Sequence, residues 1–303
     1  MKRIVSLLLT TAGLLLMVSC QGTSSTPKSE KVASSAIPQD TAKAVGQVTE
    51  VSSAADKSAV VPQTEKIADP EKAEQKAPLG AAPKQERGLA AIANAGITDK
   101  YLFIFFYTSN DNQTEKMRKV FDAAAQKVAS RTEAIVINAT DSAEKGIVAK
   151  FNVNRAPMPL ALVLAPNGAI TGGFPIKFEE NQLTSALVSQ GLAKSLKALQ
   201  EGKLVLLCVQ SGKTKSNDAA MQGVNAFKTD TRFAKSTEVV TIDPTDDQEL
   251  KFLTQVRIDP KTSEAVTALM VPPGSVVAKY NGATDKDVMI AALAALKAGG
   301  GGG

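Results

Sequence analysis

Thr132-Glu133-Ala134-Ile135-Val136-Ile137 returns 105 residues later as Thr237-Glu238-Val239-Val240-Thr241-Ile242. The echo continues on both sides. Upstream, Gly88-Leu89-Ala90 returns as Gly191-Leu192-Ala193. Downstream, Thr140-Asp141 and Glu144 return as Thr245-Asp246 and Glu249, and Ala165-Pro166-Asn167-Gly168 returns as Val271-Pro272-Pro273-Gly274. The offset stays between 103 and 106 throughout. A period near one hundred residues is too long for a solenoid repeat and suits a duplicated domain.

Each copy reads as the same succession of elements. A short helix (89–95; 192–199) leads into an apolar strand (101–107; 204–209). A polar loop opens an amphipathic helix, marked in the first copy by Met117, Val120, Phe121, Ala124 and Val128 at helical spacing. A second strand follows (134–138; 239–243), then an element opened by Asp141-x-x-Glu144 and Asp246-x-x-Glu249, a helix-capping pattern. Two strands joined by a short Pro/Gly turn (160–164 and 169–173; 266–271 and 275–280) form an antiparallel hairpin. A helix closes each copy (180–189; 285–297). The first two strands are joined through a helix and are therefore parallel.

That order, and the stretch Asn152-Val153-Asn154-Arg155-Ala156-Pro157-Met158-Pro159-Leu160 with Pro166-Asn167-Gly168 beyond it, resembles the thioredoxin family. The resemblance covers about residues 88 to 298. It implies an α/β fold of two tandem thioredoxin-like domains, 88–190 and 191–298, each a mixed sheet flanked by helices. It also implies that Pro159 is the family's cis-proline; an ordinary trans-proline at a strand start is the alternative. In thioredoxins the loop after the first central strand carries C-x-x-C. Here it reads Thr108-Ser109-Asn110-Asp111-Asn112-Gln113-Thr114, with Asp111 and Thr114 in the cysteine slots. The second copy has Gln210 to Ser216 there, and Glu264-Ala265 in place of Met158-Pro159. Neither copy holds the thiol pair that exchange needs.

The amino terminus carries a second resemblance. Lys2 and Arg3 precede an apolar run, Ile4 to Val18, that ends in Met17-Val18-Ser19-Cys20. A basic start and a short apolar run read as a secretory signal, 1–19. The last four residues resemble the lipobox of bacterial lipoproteins, which implies lipid on Cys20 and an extracytoplasmic, membrane-anchored protein. Gln21, rather than aspartate, implies outer-membrane sorting in a Gram-negative host. From Cys20 to Arg87 there is no aromatic residue, and Ser, Thr, Ala, Pro, Lys and Glu dominate. Such composition predicts a disordered tether with a reach of roughly 45 Å as a flexible coil. Gly299 to Gly303 form a glycine tail.

Composition excludes much chemistry. The chain has 303 residues, two cysteines and no histidine or tryptophan. Imidazole acid–base catalysis, histidine metal ligation and four-cysteine zinc sites are all unavailable. Net charge is +5, and loss of Lys2 and Arg3 with the signal leaves +3, too little to imply nucleic acid. Gly212-Lys213-Thr214 follows a strand as a P-loop does, but Leu207 stands where that motif needs glycine. Asp243, Asp246, Asp247 and Glu249 lack the EF-hand spacing and read as capping plus solvated charge. Cys208, inside Leu204-Val205-Leu206-Leu207-Cys208-Val209, reads as a core residue.

No catalytic residues, cofactor or metal are expected. The leading expectation is a protein-binding adaptor or scaffold at the envelope. By fold analogy its binding surface is Ser109, Asn110, Asp111, Asn112, Met158 and Pro159. A thiol peroxidase or monothiol exchanger using Cys208 is one alternative; a purely structural envelope component is another.

Overall fold

The computed structural model describes residues 86 to 299. The signal, Cys20, the tether up to residue 85 and the end of the glycine tail lie outside the described residues. No helix among the described residues is long and apolar enough to cross a membrane.

The first domain runs α1 (Arg87–Ile97), β1 (Tyr101–Tyr107), α2 (Asn112–Lys127), β2 (Thr132–Asn138), a 3-10 turn (Ser142–Glu144) into α3 (Lys145–Lys150), β3 (Leu160–Leu164), β4 (Ile170–Pro175) and α4 (Glu180–Ser185). The second runs α5 (Gln190–Gln200), β5 (Leu204–Val209), α6 (Asn217–Thr229), β6 (Thr237–Ile242), α7 (Leu250–Gln255), β7 (Val266–Val271), β8 (Ser275–Asn281) and α8 (Lys286–Gly299). The strand orders are β2-β1-β3-β4 and β6-β5-β7-β8. In each sheet the first two strands in sequence pair in parallel, and the others add antiparallel. Both halves thus have the mixed sheet that the repeat and the thioredoxin resemblance imply.

The continuous apolar runs of β1 and β5 follow from their central position: each is covered on both faces. Phe103 and Phe105 pack on one side of the first sheet with Met117, Phe121 and Phe178. Leu102, Ile104 and Phe106 pack on the other with Ile137, Ile147 and Phe151. In the second sheet Val205, Leu207 and Val209 face α5 and α7, while Leu206 and Cys208 face α6 and α8.

The closing helix of the first copy ends at Ser185, earlier than its sequence suggests, because the chain must turn into α5. Helix α5 serves both domains. Leu192, Ala198 and Leu199 enter the second domain's core, and Ala193 enters the first's. Polar bonds lock the join. The Tyr101 hydroxyl donates to Val188 O (2.5 Å) and accepts from Val188 N (3.1 Å). The Gln200 amide meets both backbone groups of Ile170, at 2.9 and 2.7 Å.

The capping-pattern glutamates do more than open their own helices. Glu144 and Glu249 are 1% and 5% exposed and reach back across the fold. Glu144 accepts from Gly88 N (3.0 Å) and from the Arg87 side chain (3.2 Å). Glu249 accepts from Gly191 N (2.8 Å) and from the Ser189 hydroxyl (2.6 Å). Each carboxylate caps the first helix of its domain, where orphan N–H groups and the helix dipole favour negative charge. The reading of Glu249 as solvated charge is therefore corrected. It is buried because its acceptors are all used by the neighbouring helix start.

Both glycines are required by close approach. A Cβ on Gly191 would stand 2.4 Å from Ile242 Cγ2 and 2.7 Å from Glu249 Oε2. Alanine ordinarily favours a helix by about 1 kcal/mol over glycine. Here Gly191→Ala is expected to destabilise the protein by about 1–3 kcal/mol through overpacking, read as a lower urea midpoint. A midpoint equal to or above wild type would contradict this packing.

Candidate functional site

The strand register brings the sequence-selected residues to one end of the first sheet. Phe106 of β1 lies opposite Leu160, and Leu160 lies opposite Pro175. The loop leaving β1, the Pro157–Pro159 segment entering β3 and the segment leaving β4 therefore converge. Ser109, Asn110, Asp111 and Asn112 are exposed, Met158 is half-buried and Pro159 is buried. The Met158–Pro159 bond is cis.

Asp111 is the cap of α2: its carboxylate accepts from Thr114 N at 2.8 Å and from the Ser109 hydroxyl at 2.9 Å. These bonds, the backbone N–H first, hold its pKa below the ordinary carboxylate value. It stands ionised, as a cap rather than as a proton donor. Thr114, in the other cysteine slot, is buried.

Two residues that sequence reading missed tie the three segments together. Ile176 N donates to Pro159 O (2.7 Å), and the Gln113 amide donates to Ile176 O (2.9 Å). The available signal was the repeat itself, which sets Ile176 against Gly282.

The two sheet ends differ. Four residues, 108–111, link β1 to α2; seven, 210–216, link β5 to α6. The longer loop folds on itself. Ser211 N donates to Thr214 Oγ1 (2.8 Å), and the Asn217 amide donates to Ser211 O (2.8 Å). Thr214 Oγ1 also lies 2.7 Å from Asn217 Oδ1. Its hydroxyl is thus employed inside the loop.

The same loop then reaches the strand start beside it. Lys215 N donates to Ser263 O, and Ala265 N donates to Lys215 O, both at 2.9 Å, an isolated parallel bridge. The Ser216 hydroxyl latches to Glu264 at 2.8 Å. In the first domain the short loop makes no such bridge. Among the described residues nothing pairs with the backbone of Met158 or with the carbonyl of Pro157.

Cys208 sits on the central strand β5, between Thr241 and Thr267, with its thiol buried. Burial pushes its pKa up to about 12. Among the described residues no cluster of acidic and cysteine side chains is placed to hold a metal ion. The acidic run disperses: Asp243 and Asp246 cap local turns, and Glu249 points inward.

No family model matches the sequence, and no curated protein matches it. Solved structures do show likeness. Thioredoxin O2 from Arabidopsis thaliana is 11% identical, over 34% of this chain and 87% of its own, with a TM-score of 0.28. The first two thioredoxin domains of Saccharomyces cerevisiae Eps1p are 13% identical, over 71% of this chain and 98% of theirs, with a TM-score of 0.24. Human ERp44 in its zinc-bound form is 9% identical, over 69% of this chain and 55% of its own, with a TM-score of 0.29. The chain carries two tandem thioredoxin-like domains, a statement that rests on its own strand order and connectivity.

Two outcomes follow from this geometry. Burial keeps the Cys208 thiol protonated at pH 8 and out of reach of solvent. Iodoacetamide is therefore expected to leave Cys208 unlabelled in the native protein and to label it fully in guanidinium chloride. Fast native labelling would revive a thiol role. In hydrogen exchange, the Lys215 and Ala265 amides are expected to exchange at least about tenfold more slowly than the Met158 amide. Equal rates would mean that the second edge is not closed.

Proposed function

We propose that this chain is a non-enzymatic binding protein, held at the bacterial cell envelope by lipid on Cys20, that docks an extended segment of a partner protein on the first domain's sheet end. The observation that carries the reading is the unpaired backbone at Pro157 and Met158. An exposed strand edge is a ready template for another chain, with main-chain bonds giving affinity and flanking side chains giving selectivity. The second domain shows such a strip in its paired state, filled by Lys215 of its own loop. The first domain keeps its strip open, with Asn110, Asp111 and Met158 around it.

The polar loop at the helix start supports binding over catalysis. It holds no nucleophile with an adjacent base, and its one carboxylate is committed to Thr114. The burial of Cys208 in the central strand disfavours the thiol alternative. The anchor rests on the basic-apolar signal and on Ser19-Cys20. Two or more acyl chains hold a protein stably on a membrane where one does so marginally.

A photo-reactive amino acid placed at Met158, and separately at Glu264, tests the docking edge in the native host. Crosslinks to the same envelope protein are expected from position 158 and not from position 264. No crosslink from 158, or equal yields from both, would reject the docking edge. Labelled palmitate in wild type and its loss in Cys20→Ala test the anchor separately.

A further inference from the structure

Helices α1 and α5 are the same element of the two copies, yet only α5 is covered. Leu192 of α5 is 9% exposed, and its counterpart Leu89 is 38% exposed. Ala193 is buried and its counterpart Ala90 half-buried. Leu196 is half-buried and Ala93 exposed. Ile97, the counterpart of Gln200, is 84% exposed. Leu89, Ala93 and Ile97 lie four residues apart and share one side of α1. Composition runs against this exposure. No charged residue occurs from Gly88 to Thr98, whereas the covered helix carries Lys194 and Lys197. A solvent-facing helix side ordinarily holds the charge, and an open apolar strip marks an interaction site.

The first domain supplies what covers α5, and that half of the joint is repeated too. Tyr101, Ala165 and Ala169, at the start of β1 and the turn from β3 to β4, are buried in the core that Ala193 enters. Their counterparts in the second domain are Leu204 and Val271, both half-buried, and Ser275, which is exposed. Two polar side chains bond the joint. The Asn167 amide donates to Ala193 O at 2.9 Å, and Gln200 meets the backbone of Ile170. At the free ends their counterparts are Pro273 and Ile97, so both polar groups are replaced by apolar ones. Leu102 pairs with Leu164, and Leu164 with Ile170, so the joint sits at the end of the sheet away from Pro159.

We propose that the open side of α1 docks on the β7–β8 turn end of a second copy of this chain, repeating between molecules the joint that α5 makes within one. The two faces are different halves of one interface. The contact is therefore heterologous, and it builds open chains of copies rather than a closed dimer. Within the chain, residues 186 to 189 tether the joint. Between copies no linker supplies that effective concentration, so assembly rises with protein concentration.

The test uses the purified full-length protein with cysteine placed at two exposed positions, Ile97→Cys and Ser275→Cys, and a short bismaleimide. A mixture of the two single variants is expected to give at least about tenfold more crosslinked dimer than either alone, as a heterologous contact requires. The double variant is expected to give a ladder of three copies and more. Ala93→Lys, added to the Ile97→Cys chain, is expected to lower the dimer yield about tenfold, because docking would bury an unpaired charge. No crosslink in the mixture overturns the proposal. So does a yield from Ile97→Cys alone that equals the mixture, since that is a two-fold contact, and so does a yield that Ala93→Lys leaves unchanged. None of these variants touches Met158 or Pro159, so the docking edge of the first domain stands or falls separately.

Discussion

A buried carboxylate holding the start of a helix organises each half of this protein. Glu144 and Glu249 lie beyond the second strand of their sheets, yet their partners are Gly88 and Gly191, more than fifty residues earlier. A helix start carries orphan N–H groups and partial positive charge, so an ionised carboxylate there is stabilised by charge-assisted bonds as well as by the dipole. Only glycine lets the helix approach close enough, with side chains of the sheet already under 3 Å from where a Cβ would stand. The pair fixes the first helix against the sheet, and the sheet then sets where its far end opens.

In the second domain the same contact has a further consequence. Glu249 also takes the Ser189 hydroxyl, and the adjoining Val188 is bonded at both backbone groups to Tyr101 of the first domain. One short linker is thus held by both cores. Helix α5 follows it, burying Leu192, Ala198 and Leu199 in the second domain and Ala193 in the first, while Leu196 packs against both cores. The duplication is consequently not a pair of beads: the second copy's first helix completes the first copy's core.

The sheet ends have diverged while the cores have not. Three additional loop residues let the second domain fill its own strand edge, satisfying backbone groups that would otherwise face water. The first domain's loop is too short to do so, and its polar residues are spent on capping α2. Neither end carries a thiol pair, and the cysteine of the second core lies in a strand interior.

Much of this was legible in the chain. The repeat, the strand positions, the parallel and antiparallel pairings, the missing thiol pair and the burial of Cys208 all follow from local pattern: apolar runs, turn residues and spacing are properties of neighbouring residues. The proline before β3 was legible as a place where the chain turns into a strand, and its cis bond was implied by the thioredoxin resemblance rather than by any local pattern. Three features were decided only by tertiary structure. The role of Glu144 and Glu249 depends on a partner more than fifty residues away, so a capping pattern with one local meaning acquired a second, distant one. The closure of the second edge depends on where a loop of seven residues can reach once β5 and β7 are side by side. The left-handed turn at Ile176 depends on bonds to Pro159 and Gln113, from two other segments. Sequence determines what each segment prefers; which groups are left without a partner is settled only when the segments meet, because hydrogen bonds and close approach are relations between distant parts of the chain.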